Sequence, residues 1–297
     1  MTAVAGAPVL VGVDGSRRGL DAVEAAAAEA ALRHRSLRIV HAFAWPTPST
    51  AVPPGVAGLS LQTFREGAEE IVAEAVLLAG KVAPDVPTGS HVVNGSPSQV
   101  LCAGGRRAAL LVLGDRGAGG IPGLRIGSVA LHAATHGACP VLVVRGNRAN
   151  DGPVVVGIDG SRASAAVLAF AAAAADCLGV PLRVVHVWTG RDTPRGPRTN
   201  RYDRMGDADR LLSTVLYDHL TQDEAERAER EILHDRDAGH ALVVLSSQSS
   251  LMVVAARTDR TGDGPFGETT RALIGRTACP LAVLPCCDED IGASHGW

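Results

Sequence analysis

Lysine is nearly missing from this chain: of 28 basic residues only Lys81 is a lysine. It lies near the end of a predicted helix, far from any glycine-rich loop, so the G-x4-G-K-[ST] phosphate loop of motor-type NTPases is excluded. Aromatic residues make up only 3% of the sequence against 46% hydrophobic residues. The core must therefore be built from Ala, Val and Leu, as in sheets covered on both faces by Ala-rich helices. Net charge is small, −3 from 28 basic and 31 acidic residues that are intermixed, which argues against nucleic acid or an anionic membrane as partner. The cysteines (Cys102, Cys139, Cys177, Cys279, Cys286 and Cys287) form no C-x-x-C pair and no disulfide framework, and read as reduced thiols. Neither G-x-G-x-x-G after a first strand nor a G-x-S-x-G elbow occurs, which sets aside dinucleotide cofactors and hydrolase triads. The first residues lack a basic n-region, and the longest apolar run, Ala163 to Ala175, is too short to span a bilayer. A cytoplasmic location and no membrane contact are expected.

At 297 residues the chain has the length of two domains of about 150 residues each. An internal duplication supports this. Val9-Leu-Val-Gly-Val-Asp14-Gly-Ser16 returns as Val154-Val-Val-Gly-Ile-Asp159-Gly-Ser161, and Arg38-Ile-Val-His41 returns as Arg183-Val-Val-His186. Ala138-Cys-Pro-Val-Leu-Val-Val144 likewise has an echo in Ala278-Cys-Pro-Leu-Ala-Val-Leu284. Within each half, short apolar runs alternate with segments of helical period, the pattern of β-α-β units and a parallel sheet. Strands are predicted over 8–14, 37–43, 89–93, 109–114 and 141–145, with helices over 17–34, 61–83, 97–107 and 127–136. In the second half strands are predicted over 153–158, 181–188, 229–233, 250–255 and 280–284. The polar stretch Arg145 to Pro153 is the linker, giving domains 1–148 and 149–297. Trp45 to Pro54 and Arg191 to Arg204 are expected to be surface loops or lids, and Glu224 to Glu231 an exposed helix face.

The chemistry-bearing pattern lies in the first half. The fourth strand runs into Gly114-Asp-Arg-Gly117, and Gly127-Ser128 follows at the start of a helix. Such glycines let the main chain turn sharply and approach a ligand, while a helix N-terminus offers free amides and a positive dipole end to an anion. In doubly wound sheets these sites lie beyond the carboxyl ends of the strands where strand order reverses, which brings Asp14 beside the loop to hold a ribose hydroxyl or a metal. With Val13-Asp14-Gly15-Ser16, the pattern Gly114-x2-Gly117-x9-Gly127-Ser128 resembles the ATP-binding class of the universal stress protein family. The resemblance implies two tandem α/β domains, each a doubly wound five-stranded parallel sheet of order 3-2-1-4-5, related by a pseudo-twofold axis. It also implies ATP contacts from Gly12, Val13, Asp14, Ala42, Leu113, Gly114, Arg116, Gly117, Gly127, Ser128 and Val129, with Mg2+ or Mn2+ as the accompanying ion if one is used.

The second copy departs at the same places. According to the gap chosen, Gly114 and Gly117 become Val254 and Arg257 or Ala255 and Thr258, and Glu268 replaces Ser128 beside Gly267. A carboxylate there repels phosphate, so one ATP site per chain is expected, with Asp159 kept as a strand-end acceptor of backbone hydrogen bonds. His132 and His136 share a helix face without the glutamate of a zinc motif and are read as packing or surface residues, and His41 and His186 as a repeated structural pair near the sheet edge. The resemblance implies a nucleotide-dependent regulator in stress or dormancy, partnered by ATP and by a second copy or a regulatory protein, in which occupancy orders the Gly117 to Gly127 loop. A slow ATPase or nucleotidyl-transfer enzyme, drawing on Asp14, Asp115 and Arg116, and a nucleotide-free scaffold stand as alternatives.

Overall fold

The computed structural model describes residues 6–43, 61–119, 126–146, 151–189, 201–256 and 267–285, with side chains omitted at 61 and 201–204. The chain divides at Gly146 into two compact units, each contributing five parallel strands.

The first unit runs β1 (Val9–Val13), α1 (Arg17–Leu32), β2 (Leu37–Phe43), α2 (Leu61–Val82), β3 (Thr88–Asn94), α3 (Pro97–Gly105), β4 (Leu110–Gly114), α4 (Ser128–His136) and β5 (Val141–Val144). Its strands lie in the order β3-β2-β1-β4-β5, all parallel. Right-handed crossovers send the chain outward through α1 and α2 on one face and back through α3 and α4 on the other. Alternation along the strands decides what each face buries. Leu10, Leu111 and Leu113 point to Leu101 of α3 and to Ala130 and Ala133 of α4, forming one continuous cluster with Val40, Val141 and Val143. The residues of the other phase, Val9, Val11, Ile39, Leu110 and Val112, are fully buried as well. That double burial explains why β1 and β4 read as unbroken apolar runs. Edge strand β3 is the exception, polar and mostly exposed, as an unpaired edge requires.

The second unit repeats the plan with β6 (Val154–Gly157), α5 (Ser164–Leu178), β7 (Leu182–Trp188), α6 (Arg201–His219), α7 (Gln222–Arg227), β8 (Glu229–His234), α8 (Ala238–Leu245), β9 (Leu251–Ala256), α9 (Glu268–Ile274) and β10 (Leu281–Pro285). Strand order within it is β10-β9-β6-β7-β8, again parallel. The small side chains of α5, among them Ala171, Ala174 and Ala175, are buried. The first turn after β1 and after β6 uses a left-handed glycine, Gly15 at φ 77° and Gly160 at φ 75°, a conformation a side chain would strain.

Three expectations change. Of the two overlapping expectations at Glu229 to Glu231, the strand over 229–233 is found as β8, and the helix expected through Glu231 ends at Arg227, with Ala228 extended at ψ 127°. Arg201 and Arg204, expected in a loop, lie in α6. His41 and His186 sit on strands flanked on both sides, not at a sheet edge. The lid-like stretch Trp45 to Pro54, residues 120–125 of the glycine loop, and Cys286 and Cys287 fall outside the described residues.

Candidate functional site

The crevice lies beyond the carboxyl ends of β1 and β4, where the order of connection reverses. Its floor is set by close packing. A side chain on Gly12 would come within 2.6 Å of Leu101 and 2.8 Å of Leu113, so Gly12 and the buried Leu113 belong to the core beneath the site. Val13 pairs in register with His41, and His41 Nδ1 donates to the Val13 carbonyl at 2.8 Å. The second unit repeats this bond between His186 and Ile158 at 2.9 Å. Both histidines tie the end of a second strand to the residue before the aspartate, a positional role. Ala42, one residue past that pair, is buried and lies level with Asp14.

Gly114 ends β4 opposite Val144. A side chain here would meet the Arg18 carbonyl oxygen of α1 at 2.6 Å. Its bareness therefore serves the seating of α1 on the sheet, where the sequence had suggested approach to a ligand. Gly117 touches Asp14: a side chain at 117 would overlap Asp14 Oδ2, and the next amide, Ala118 N, donates to that oxygen at 2.6 Å. Asp14 Oδ1 accepts from the Ser16 amide at 3.1 Å and from Ser16 Oγ at 2.6 Å.

Gly127 closes the ring. Its amide donates to the Asp115 carbonyl at 2.7 Å, and a side chain on it would face Arg116 Cα at 3.4 Å and Gly117 N at 3.6 Å. As N-cap of α4 it provides no side-chain hydrogen bond to the helix, so the amides of Ser128 and Val129 are among the orphan donors of a helix start. Ser128 is exposed, while Val129 packs its side chain on the core. The structure thus gathers Asp14, Arg116, Gly117, Gly127, Ser128 and Val129 at the carboxyl ends of β1 and β4, with Gly12, Val13, Ala42, Leu113 and Gly114 in the strands beneath.

Asp115 points inward. Its side chain is 3% exposed and meets Arg145 at 3.3 Å, Arg18 at 3.5 Å and Arg116 at 3.9 Å. Oδ1 makes no hydrogen bond and depends on the Arg18 charge. Burial pulls the Arg145 guanidinium below the usual arginine range, and the Asp115 charge opposes that shift. A carboxylate so enclosed is spent on structure, which removes it as a catalytic base. Arg18, Arg145 and the Ala118 amide were missed by sequence reasoning. Arginine is the commonplace cation here and a backbone amide carries no residue signature, so no local signal marked them.

Among the described residues no metal cage is built. Asp14 and Asp115 are engaged as described, and among the described residues no group of three His, Cys, Asp or Glu side chains converges. His132 and His136 stack on each other with ring centroids 4.4 Å apart, as packing residues do.

The second unit resolves the ambiguity left by its gap. Val154 pairs with Leu251 as Val9 pairs with Leu110, and Leu284 pairs with Ala255 as Val144 pairs with Gly114. Both registers place Ala255 at the position of Gly114; Thr258 falls outside the described residues. Glu268 occupies the first turn of α9 behind Gly267. Asp159 is exposed and accepts the Ser161 amide at 2.9 Å.

Two doubly wound parallel α/β units, each ending β1 or β6 in the same Asp-Gly-Ser turn, define the class of the protein. The sequence profile described as Universal stress protein family matches residues 7–145 and 152–285, and the chain belongs to that family as a tandem member. A universal stress protein of Mycobacterium tuberculosis (strain ATCC 25618 / H37Rv) is 35% identical over 289 residues, covering 93% of this chain and 94% of the relative. One from Mycolicibacterium smegmatis is 32% identical over 292 residues, covering 92% of each. The crystal structure of a universal stress protein from Archaeoglobus fulgidus aligns over 95% of this chain and 99% of its own, with a TM-score of 0.69 at 13% identity, a likeness of fold.

Proposed function

We propose that the first unit binds ATP in the crevice beyond β1 and β4, one nucleotide per chain, and that occupancy rather than turnover is its output. The observation that carries the reading is the bare start of α4. Gly117 and Gly127 approach each other with no side chain between them, and the helix behind them has no side-chain cap, so its dipole and first amides face the opening for a polyanion to satisfy. Arg116, with a half-exposed guanidinium, adds positive charge at the rim. Asp14, Val13 and Ala42 would take the ribose and adenine side, above Gly12, Leu113 and Gly114. A divalent ion such as Mg2+ or Mn2+ would be carried by the phosphates, since the described residues supply no cluster of ligands for it.

Regulation is favoured over hydrolysis because the one carboxylate inside the loop, Asp115, is locked in ion pairs and so is not free to orient a water. The signal, in stress or dormancy, would pass to a regulatory protein or a second copy of the chain in the cytoplasm. No helix among the described residues is long and apolar enough to cross a membrane.

Calorimetry with ATP tests the reading, and Ser128→Glu is the informative variant. It reproduces the charge that Glu268 brings to α9. A carboxylate in the first turn favours the helix, so folding is preserved, while it repels the phosphates. The wild type should bind one ATP and the variant should lose at least about tenfold in affinity, roughly 1.4 kcal/mol. Absence of heat in the wild type, or an unweakened variant, would overturn the proposal.

A further inference from the structure

Asp14 is bonded to both ends of its surroundings. Oδ1 holds the Ser16 turn, and Oδ2 accepts the Ala118 amide at 2.6 Å across 104 residues of sequence. Gly117 is the residue whose missing side chain admits that carboxylate, since a β-carbon there would overlap Oδ2. An ionised acceptor on a backbone amide is among the stronger hydrogen bonds available to a protein. The bond fixes the loop between β4 and α4 at the point where Gly117 N approaches Gly127.

We infer that Asp14 is a positioning residue for the phosphate loop: its carboxylate latches the Ala118 amide and so sets the amides that would meet the phosphates, independently of any contact with a sugar. The inference rests on the ATP reading for its consequence, and on the Asp14–Ala118 bond alone for its mechanism. Its sign is opposite to that of simple electrostatics. Deleting a carboxylate beside a polyanion would, through charge alone, tighten phosphate binding; deleting a latch weakens it. Gly117 also takes on a second meaning. A methyl group there damages the site by colliding with Asp14, so its cost belongs to the pair.

Inorganic tripolyphosphate, which has no sugar, separates these roles. On the full chain, Asp14→Ala should weaken tripolyphosphate binding by about tenfold, the worth of the charge-assisted bond to the Ala118 amide among the three that Asp14 accepts, and Asp14→Asn, which keeps one acceptor oxygen, should fall between. Gly117→Ala should weaken binding in the wild type and add nothing to Asp14→Ala, the signature of a coupled pair. In the protein without ligand, amide exchange at Ala118 should quicken by about tenfold in Asp14→Ala, while amides in β1 and β4 keep their protection and show that the unit is folded. Tripolyphosphate bound equally or more tightly by Asp14→Ala, or exchange at Ala118 unchanged, would sink the latch. Should the wild type bind neither ATP nor tripolyphosphate, the proposed function falls and the exchange rates alone decide the latch.

Discussion

Two carboxylates beside the loop that follows β4, and a thiol at the other end of the same strands, show how burial assigns roles. Asp14 keeps a partly open position and holds a turn and a loop by backbone amides, whereas Asp115 is enclosed by guanidinium groups. At the amino end of β4 and β5, two residues before Val141, the partner of Leu111, lies Cys139, part of the cluster on the α3 and α4 face. Burial pushes its thiol up to about 11, against a hydrogen bond at Leu111 that works the other way, and the Cys102 charge adds to the rise. A thiol raised in the folded state stays protonated while the unfolded chain begins to ionise near the ordinary thiol value of 9.0, so its contribution is intact below that pH and is lost as pH climbs towards 11. A rise of that size is worth roughly 2–3 kcal/mol. Denaturant midpoints should therefore fall as pH is raised from 9.0 to about 11 in the wild type, and fall less in Cys139→Ala. Parallel pH profiles for the two proteins would show that Cys139 is not the group responsible.

At the scale of elements, the two copies start their first helices differently, and the difference traces to one serine. Ser16 caps α1 by accepting the Gly19 amide at 3.0 Å and donates to Asp14. Its counterpart Ser161 caps nothing by its side chain, for α5 begins at Ser164 behind Ala163 without a side-chain cap. Ser16→Ala should cost about 1 kcal/mol, seen as faster amide exchange at Gly19 and Leu20, and Ser161→Ala clearly less; equal costs would mean that the hydroxyl of Ser16 is not the cap that matters. Much of this architecture was legible in the residues. Strands buried on both faces announce themselves as apolar runs, and the Ala-rich helices between them leave little choice but a parallel sheet. The reading set a helix face and a strand on the same residues, Glu229 to Glu231, where exposure erased the period: acids and arginines of α7 continue into β8, an edge strand facing water, and only the extended Ala228 separates them. At the site, the glycines were legible because bare backbone is written in the sequence. What each glycine accommodates was not: Gly114 yields to α1 and Gly117 to Asp14, partners distant in the chain that only folding supplies.

The whole molecule is a duplication in which the first copy carries the glycine pattern and the second departs from it. Strand registers align Ala255 with Gly114 and the helix starts align Glu268 with Ser128, so the second unit's sequence departs from the pattern at three positions once Thr258 is counted against Gly117. The charge is the easiest to reverse, yet the backbone positions hold the geometry. Replacing Glu268 by Ser removes the repulsion but leaves a methyl at 255 and a branched side chain at 258, where close approach needs none. Calorimetric stoichiometry should therefore stay at one ATP per chain in Glu268→Ser, as it should in Asp159→Ala. A second equivalent of ATP in the first variant would mean that the carboxylate alone silences the second unit, and a loss of the bound nucleotide in the second would place the site on the wrong half of the chain.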